Sequence, residues 1–99
     1  ERDAEIMGMY CRVAAEIGAD LVKCIHPGND HALARIIEGC AAPVLVAGGK
    51  KQDDVDVSYQ RARSAMAAGA AGLVYGRNIF EAIDPAAELG CYHEIVHGT

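Results

Sequence analysis

The stretch "ADLVKCIHPGND", Ala19 to Asp30, sets a lysine in the middle of an apolar run. Leu21 and Val22 precede Lys23, and Cys24 and Ile25 follow it. The run is too short for a helix and is closed by Pro27 and Gly28, so it reads as a strand near residues 20–25. An ammonium in such a strand must reach solvent, meet an acid, or give up its proton. Which of these holds depends on what kind of strand it is.

Upstream, Ile6, Met9 or Tyr10, Val13 and Ile17 recur at helical spacing, and Gly18 follows as a stop. Downstream, Asp30 is placed to cap a second helix carrying Leu33, Ile36 and Ile37, which ends near Gly39. "APVLVAGG" gives a second strand near 43–48, followed by the polar turn "KKQDD". Val55, Tyr59, Ala62 and Met66 stripe a third helix that stops at Gly69. "AGLVYGRN" supplies a third strand near 72–76, and Asp84-Pro85 opens a last helix with its cap and first-turn proline. Leu89, Tyr92 and Val96 form the apolar stripe of that helix. The order is a helix and then three strand–helix units. The strands are continuous apolar runs, as expected of parallel strands covered on both faces. Each ends in residues unlike its interior ("HPGND", "AGGKK", "YGRN"), and parallel α/β folds gather their ligands at those ends.

Composition limits the choices. The 99 residues are 52% apolar with one Phe and no Trp, which suits one small domain over 1–99. Nine basic against 14 acidic residues leave a net charge of −5, and there is no basic run. Nucleic acid is therefore a poor partner. No apolar run approaches the roughly 18 residues that span a bilayer. The charged opening "ERDAE" is unlike a secretory core. Cys11, Cys24, Cys40 and Cys91 lack CxxC spacing and read as reduced, partly buried thiols of a cytoplasmic protein.

Pattern alone leaves two closures open, a small doubly wound sheet or part of a (β/α)8 barrel, which needs about 250 residues in all. In "LVKCI…VLVAGGKK…GLVYGRNIF", however, the chain resembles the C-terminal part of the archaeal-type class I fructose-bisphosphate aldolase family. That family also holds a related aldolase on the way to aromatic amino acids and the thiolase that processes phosphorylated autoinducer-2. The resemblance runs over nearly the whole chain, and its specificity lies in three strands in order. It implies an α/β fold in which parallel β/α units form the C-terminal portion, about three units, of a (β/α)8 TIM barrel.

The resemblance also implies the chemistry. Lys23 matches the lysine that forms a Schiff base with the substrate carbonyl, and no cofactor is called for. The nucleophile must be the neutral amine, and burial in an apolar barrel favours that form by lowering a lysine's pKa. The competing reading of Lys23 is a strand-edge lysine whose head reaches water. Gly48, Gly49, Gly76 and Arg77 match the phosphate site. Glycines there let backbone N–H groups approach an anion, and arginine forks onto phosphate oxygens. Each of these, taken singly, also reads as a turn glycine or a surface charge. Lys50 and Lys51 add positive charge nearby, but read more simply as solvated turn residues.

His26 stands where the family commonly has tyrosine, and "AGGKK" leans toward the thiolase branch. The family's acid–base residues belong to strands outside this stretch, so the chain is expected to need the rest of the barrel or copies of itself. A separate motif, "HEIVH" at His93 to His97, matches a zinc-hydrolase pattern. It lacks the third ligand that such a site requires, so no metal is expected. His26 and His31 have no partner spacing and read as polar loop residues. The reading is a class I aldolase acting on a phosphorylated ketose such as fructose 1,6-bisphosphate. The alternatives are a thiolase-branch enzyme for a phosphorylated dione, or a non-catalytic segment that needs a partner chain.

Overall fold

A computed structural model describes residues 2–49 and 53–98. Lys50 and Lys51 lie outside the described residues. The chain runs α1 (Arg2–Glu16), β1 (Val22–Ile25), α2 (Asp30–Glu38), β2 (Val44–Ala47), α3 (Val55–Ala67), β3 (Gly72–Val74), α4 (Gly76–Phe80) and α5 (Pro85–His97). The three strands pair in parallel in the order β1-β2-β3. Their register aligns Lys23 with Leu45 and Gly72, and Ile25 with Ala47 and Val74.

Side chains alternate across a strand, and here the alternation separates two unlike faces. Val22, Cys24, Val44 and Val46 are buried in one cluster with Leu33 and Ile36 of α2, Cys11 of α1 and Ala65 of α3. Lys23 and Ile25 point the other way and are exposed, with Leu21 of the preceding turn on the same side. Helices thus cover one face, and the described residues leave the other open. The covered face holds the largest fully buried side chains, Leu33, Val44 and Val46.

Helix ends follow local chemistry. Asn29, rather than Asp30, caps α2, accepting from the Ala32 N–H at 3.0 Å. Asp30 becomes the first helical residue, and its carboxylate is left for another partner. Asp84 caps α5 with Pro85 in the first turn, and Gly98 closes it in the left-handed region (φ 74°).

Two expectations are corrected. The third strand does not extend to residue 76. Its last shared ladder bond is Gly48 N–H to Val74 C=O at 3.0 Å, after which β2 has ended and the backbone turns into α4. The apolar stripe of α1 is also not its buried face. Ile6, Met9, Tyr10, Val13 and Ile17 are exposed, while the helix packs through Gly8, Met7, Cys11 and Ala14. Gly8 is buried there, and a Cβ on it would meet Ile36 Cγ1 at 3.5 Å, an ordinary packing distance.

Candidate active site at the strand ends

Parallel strands in register bring their carboxyl ends to one edge, and three turns meet there. β1 leads into 26–29, β2 into Gly48 and Gly49, and β3 through Tyr75 into Gly76 and Arg77. Lys23 lies two residues back from that edge on the open face, in line with Leu45 and Gly72. A spacing of about 4.8 Å between neighbouring strands puts β1 roughly 10 Å from β3. The Lys23 amine and the glycine-lined turn after β3 thus stand on strands about that far apart.

The burial expected of Lys23 is not found. Its side chain is exposed, because the face it stands on has no cover among the described residues. Any cover for this amine must come from outside the described residues.

The four residues expected at the phosphate behave differently from one another. Gly48 spends its N–H on Val74, so it has none to offer an anion. What requires glycine there is room. A Cβ would stand 2.8 Å from Tyr75 Cγ and 2.9 Å from both Tyr75 Cδ1 and Asn78 Nδ2. Gly49 follows at φ 68°, where a side chain is strained. Gly76 has open space around its Cα and begins α4, with Arg77 exposed beside it. Gly49, Gly76 and Arg77 are therefore free to face a ligand, and Gly48 shapes the ground beneath them.

That ground is an aromatic cluster that the sequence reading did not assemble. Tyr75 packs on Tyr92 with ring centroids 5.0 Å apart, and Tyr59 meets Tyr92 edge-on at 5.4 Å. The Tyr92 hydroxyl shares a 2.5 Å hydrogen bond with Ser58, and the Tyr59 hydroxyl donates to Glu88 at 2.6 Å. Burial pushes Tyr75 up to about 12, and the Glu88 carboxylate beside Tyr59 raises that phenol as well. Both stay protonated and serve as props for the β3–α4 turn. Their scatter at 59, 75 and 92 gave no periodic signal by which to group them.

His93 and His97 lie on one helical face with ring centroids 4.5 Å apart. Among the described residues, no three His, Cys, Asp or Glu side chains are grouped to hold a metal ion. All four cysteines are free, with Cys11 and Cys24 buried. No described helix is long and apolar enough to cross a membrane.

A one-faced parallel β/α sheet with an amine behind a glycine-lined edge defines a class: parallel β/α proteins that bind small ligands at the carboxyl ends of their strands. Comparison with known proteins narrows it. The DeoC/LacD family aldolase description matches residues 1–82, and the chain belongs to that family. It is 37% identical over 97 residues to the 2-amino-3,7-dideoxy-D-threo-hept-6-ulosonate synthase of Halobacterium salinarum, covering 98% of this chain and 36% of that protein. It is also 37% identical over 99 residues to the 3-hydroxy-5-phosphonooxypentane-2,4-dione thiolase of Salmonella typhimurium, covering 97% of this chain and 32% of that one. An archaeal fructose 1,6-bisphosphate aldolase structure superposes with a TM-score of 0.92 at 28% identity, over 97% of this chain and 38% of that one. A structure of the Schiff-base-forming fructose-1,6-bisphosphate aldolase superposes with a TM-score of 0.90 at 27% identity, over 95% and 38%. The fold is therefore a portion of a (β/α)8 barrel, and the doubly wound alternative falls away. The chain spans about a third of the length of the curated relatives it matches.

Proposed function

We propose that this chain supplies the nucleophile and the phosphate cradle of a class I, Schiff-base aldolase acting on a phosphorylated ketose such as fructose 1,6-bisphosphate. The observation that carries this reading is the position of Lys23. In a chain of the DeoC/LacD aldolase family, it stands on the open face of the sheet, two residues behind the edge where Gly49, Gly76 and Arg77 gather. In the proposed step, Lys23 Nζ adds to the ketone carbon and the carbonyl oxygen leaves as water. The protonated imine then takes up the electron pair released as the neighbouring carbon–carbon bond breaks, giving an enamine and a free aldehyde. The departing hydroxyl gives its proton to a base on strands outside this chain. Arg77 and the N–H groups of Gly49 and Gly76 hold the phosphate, with Gly48 admitting the supporting Tyr75 ring.

Borohydride reduction in the presence of fructose 1,6-bisphosphate, carried out on the whole protein, should leave a stable secondary amine on Lys23 that peptide mass analysis locates. An adduct on another lysine, or none, would remove Lys23 from the role. The similarity to a thiolase for a phosphorylated dione supports a second reading. An adduct formed with the phosphorylated dione and not with the ketose would select it. Either way we place the protein in the cytoplasm, since its cysteines are free, and expect further barrel strands or a second copy to cover the open face.

A further inference from the structure

His26 closes the lysine strand, and its ring is caught in a chain of hydrogen bonds that the proposed chemistry does not use. The Gly28 N–H donates to His26 Nδ1 at 2.9 Å, and His26 Nε2 lies 3.0 Å from Ser64 Oγ on α3. Ser64 Oγ in turn donates to Asp30 Oδ1 at 2.5 Å, at the start of α2. These contacts fix the tautomer. A backbone N–H pointing at Nδ1 requires a bare nitrogen there, so the proton sits on Nε2 and is given to Ser64. Every donor runs one way, from Gly28 through the ring and the serine to the carboxylate. The imidazole therefore does not act as a base toward Ser64, although Ser, His and Asp stand together. What the chain does is tie three elements: the turn after β1, the first residue of α2 and the middle of α3.

We propose that His26, Ser64 and Asp30 form a positioning network that fixes the turn following the lysine strand, and that it closes only while the His26 ring is neutral. Adding a proton to Nδ1 sets N–H against the Gly28 N–H, and that contact must open. The ring side chain is 5% exposed, so it has no room to turn the new proton to water. The charged groups around it divide. Asp30 of α2, 3.8 Å from Nε2, favours the charged ring, and Arg61 of α3 opposes it, with Arg63 of α3 lining the same recess. Burial outweighs the Asp30 attraction and pulls the ring below its ordinary 6.5. The unfolded chain therefore binds this proton more readily than the folded one. The network's contribution is complete above pH 6.5 and is lost as pH falls from there through the folded value. Because Lys23 lies three residues before His26, on the strand that leads into this turn, release of the turn frees the strand end that carries it. This last link rests on the Schiff-base reading of Lys23, whereas the network itself does not.

The test has two arms on the whole protein. Imidazole nitrogen NMR across pH 5–8, without substrate, should find His26 as the Nε2–H tautomer, with the Gly28 amide protected from exchange until the ring is charged. Asp30→Asn should move the ring's titration to lower pH, because the carboxylate that favours the charge is gone. An Nδ1–H tautomer at neutral pH, or a Gly28 amide indifferent to the ring's charge, would overturn the network whatever the protein catalyses. In the second arm, the rate of borohydride trapping at Lys23 is compared between wild type and His26→Gln, each normalised to pH 8. The titration of the lysine itself cancels in that ratio. The wild-type rate should fall below that of the variant by up to about tenfold per pH unit once the ring is charged. A flat ratio would confine the network to holding the turn and overturn its link to Lys23. An absence of trapping at any pH would remove both the Lys23 reading and that link, leaving the NMR arm to decide the network.

Discussion

Gly48 and Gly76 follow adjacent strands and look alike in sequence, yet their surroundings differ. Alanine at 48 drives a methyl into the Tyr75 ring and the Asn78 amide at under 3 Å. Gly48→Ala should therefore cost stability by about 1–3 kcal/mol, the usual penalty of overpacking, read as a lower denaturant midpoint. Alanine at 76 meets nothing within 4 Å, so Gly76→Ala should leave that midpoint nearly unchanged. If the proposed cradle holds, it should weaken binding of a phosphorylated ligand by crowding its approach, as calorimetry would show. Arg77→Ala should weaken phosphorylated ligands by about 1.5–3 kcal/mol, the worth of a hydrogen bond to a charged group, and their unphosphorylated analogues far less. Equal losses for both would make Arg77 a surface charge and nothing more. Sequence did not distinguish Gly48 from Gly76, because a glycine's reason for being present is written in its neighbours.

At the scale of elements, the turn from β3 into α4 is held from behind. Tyr92 of α5 supports the Tyr75 ring and bonds Ser58 of α3, so one buried phenol joins two helices to the candidate site. Tyr92→Phe keeps the ring and strands the buried Ser58 hydroxyl, at a cost of about 1–3 kcal/mol. Ser58→Ala with Tyr92→Phe should recover part of that loss, since removing both partners leaves no unpaired polar group. A double mutant as destabilised as the sum of the singles would show that the bond does not couple them. The long helices and the strands were legible, as were Gly18 and the Asp84-Pro85 start. The short α4 was not. "GRNIF" carries no cap and five residues cannot display a period, so only the end of β2 as a ladder partner reveals where β3 must stop.

For the whole molecule, the decisive feature is a sheet clothed on one side. Leu21 and Ile25 are 58% and 59% exposed around Lys23, and Phe80 at the end of α4 and Ile83 after it stand out. Apolar surface of this kind, backed by the open edges of β1 and β3, favours association. The 99 residues alone should sediment as more than a monomer and cleave no phosphorylated ketose. Ultracentrifugation together with an aldol-cleavage assay checks both. A monodisperse monomer that cleaves the ketose would show that three units suffice.

The sequence by itself determined the parallel β/α order and marked Lys23 as out of place in an apolar strand, because these rest on periodicity, turn chemistry and the order of residues along the chain. Tertiary structure alone decided which face of α1 is buried, since that depends on where α2 and the sheet lie and puts Cys11, Met7 and Ala14 rather than the apolar stripe against the core. It alone showed that Lys23 stands on an uncovered face, since cover comes from other elements. It alone turned His26 from a loop residue into the centre of a hydrogen-bonded chain reaching Ser64, 38 positions away. Local rules see a residue and its near neighbours, whereas burial and hydrogen-bond partners are fixed by what the fold brings across from elsewhere.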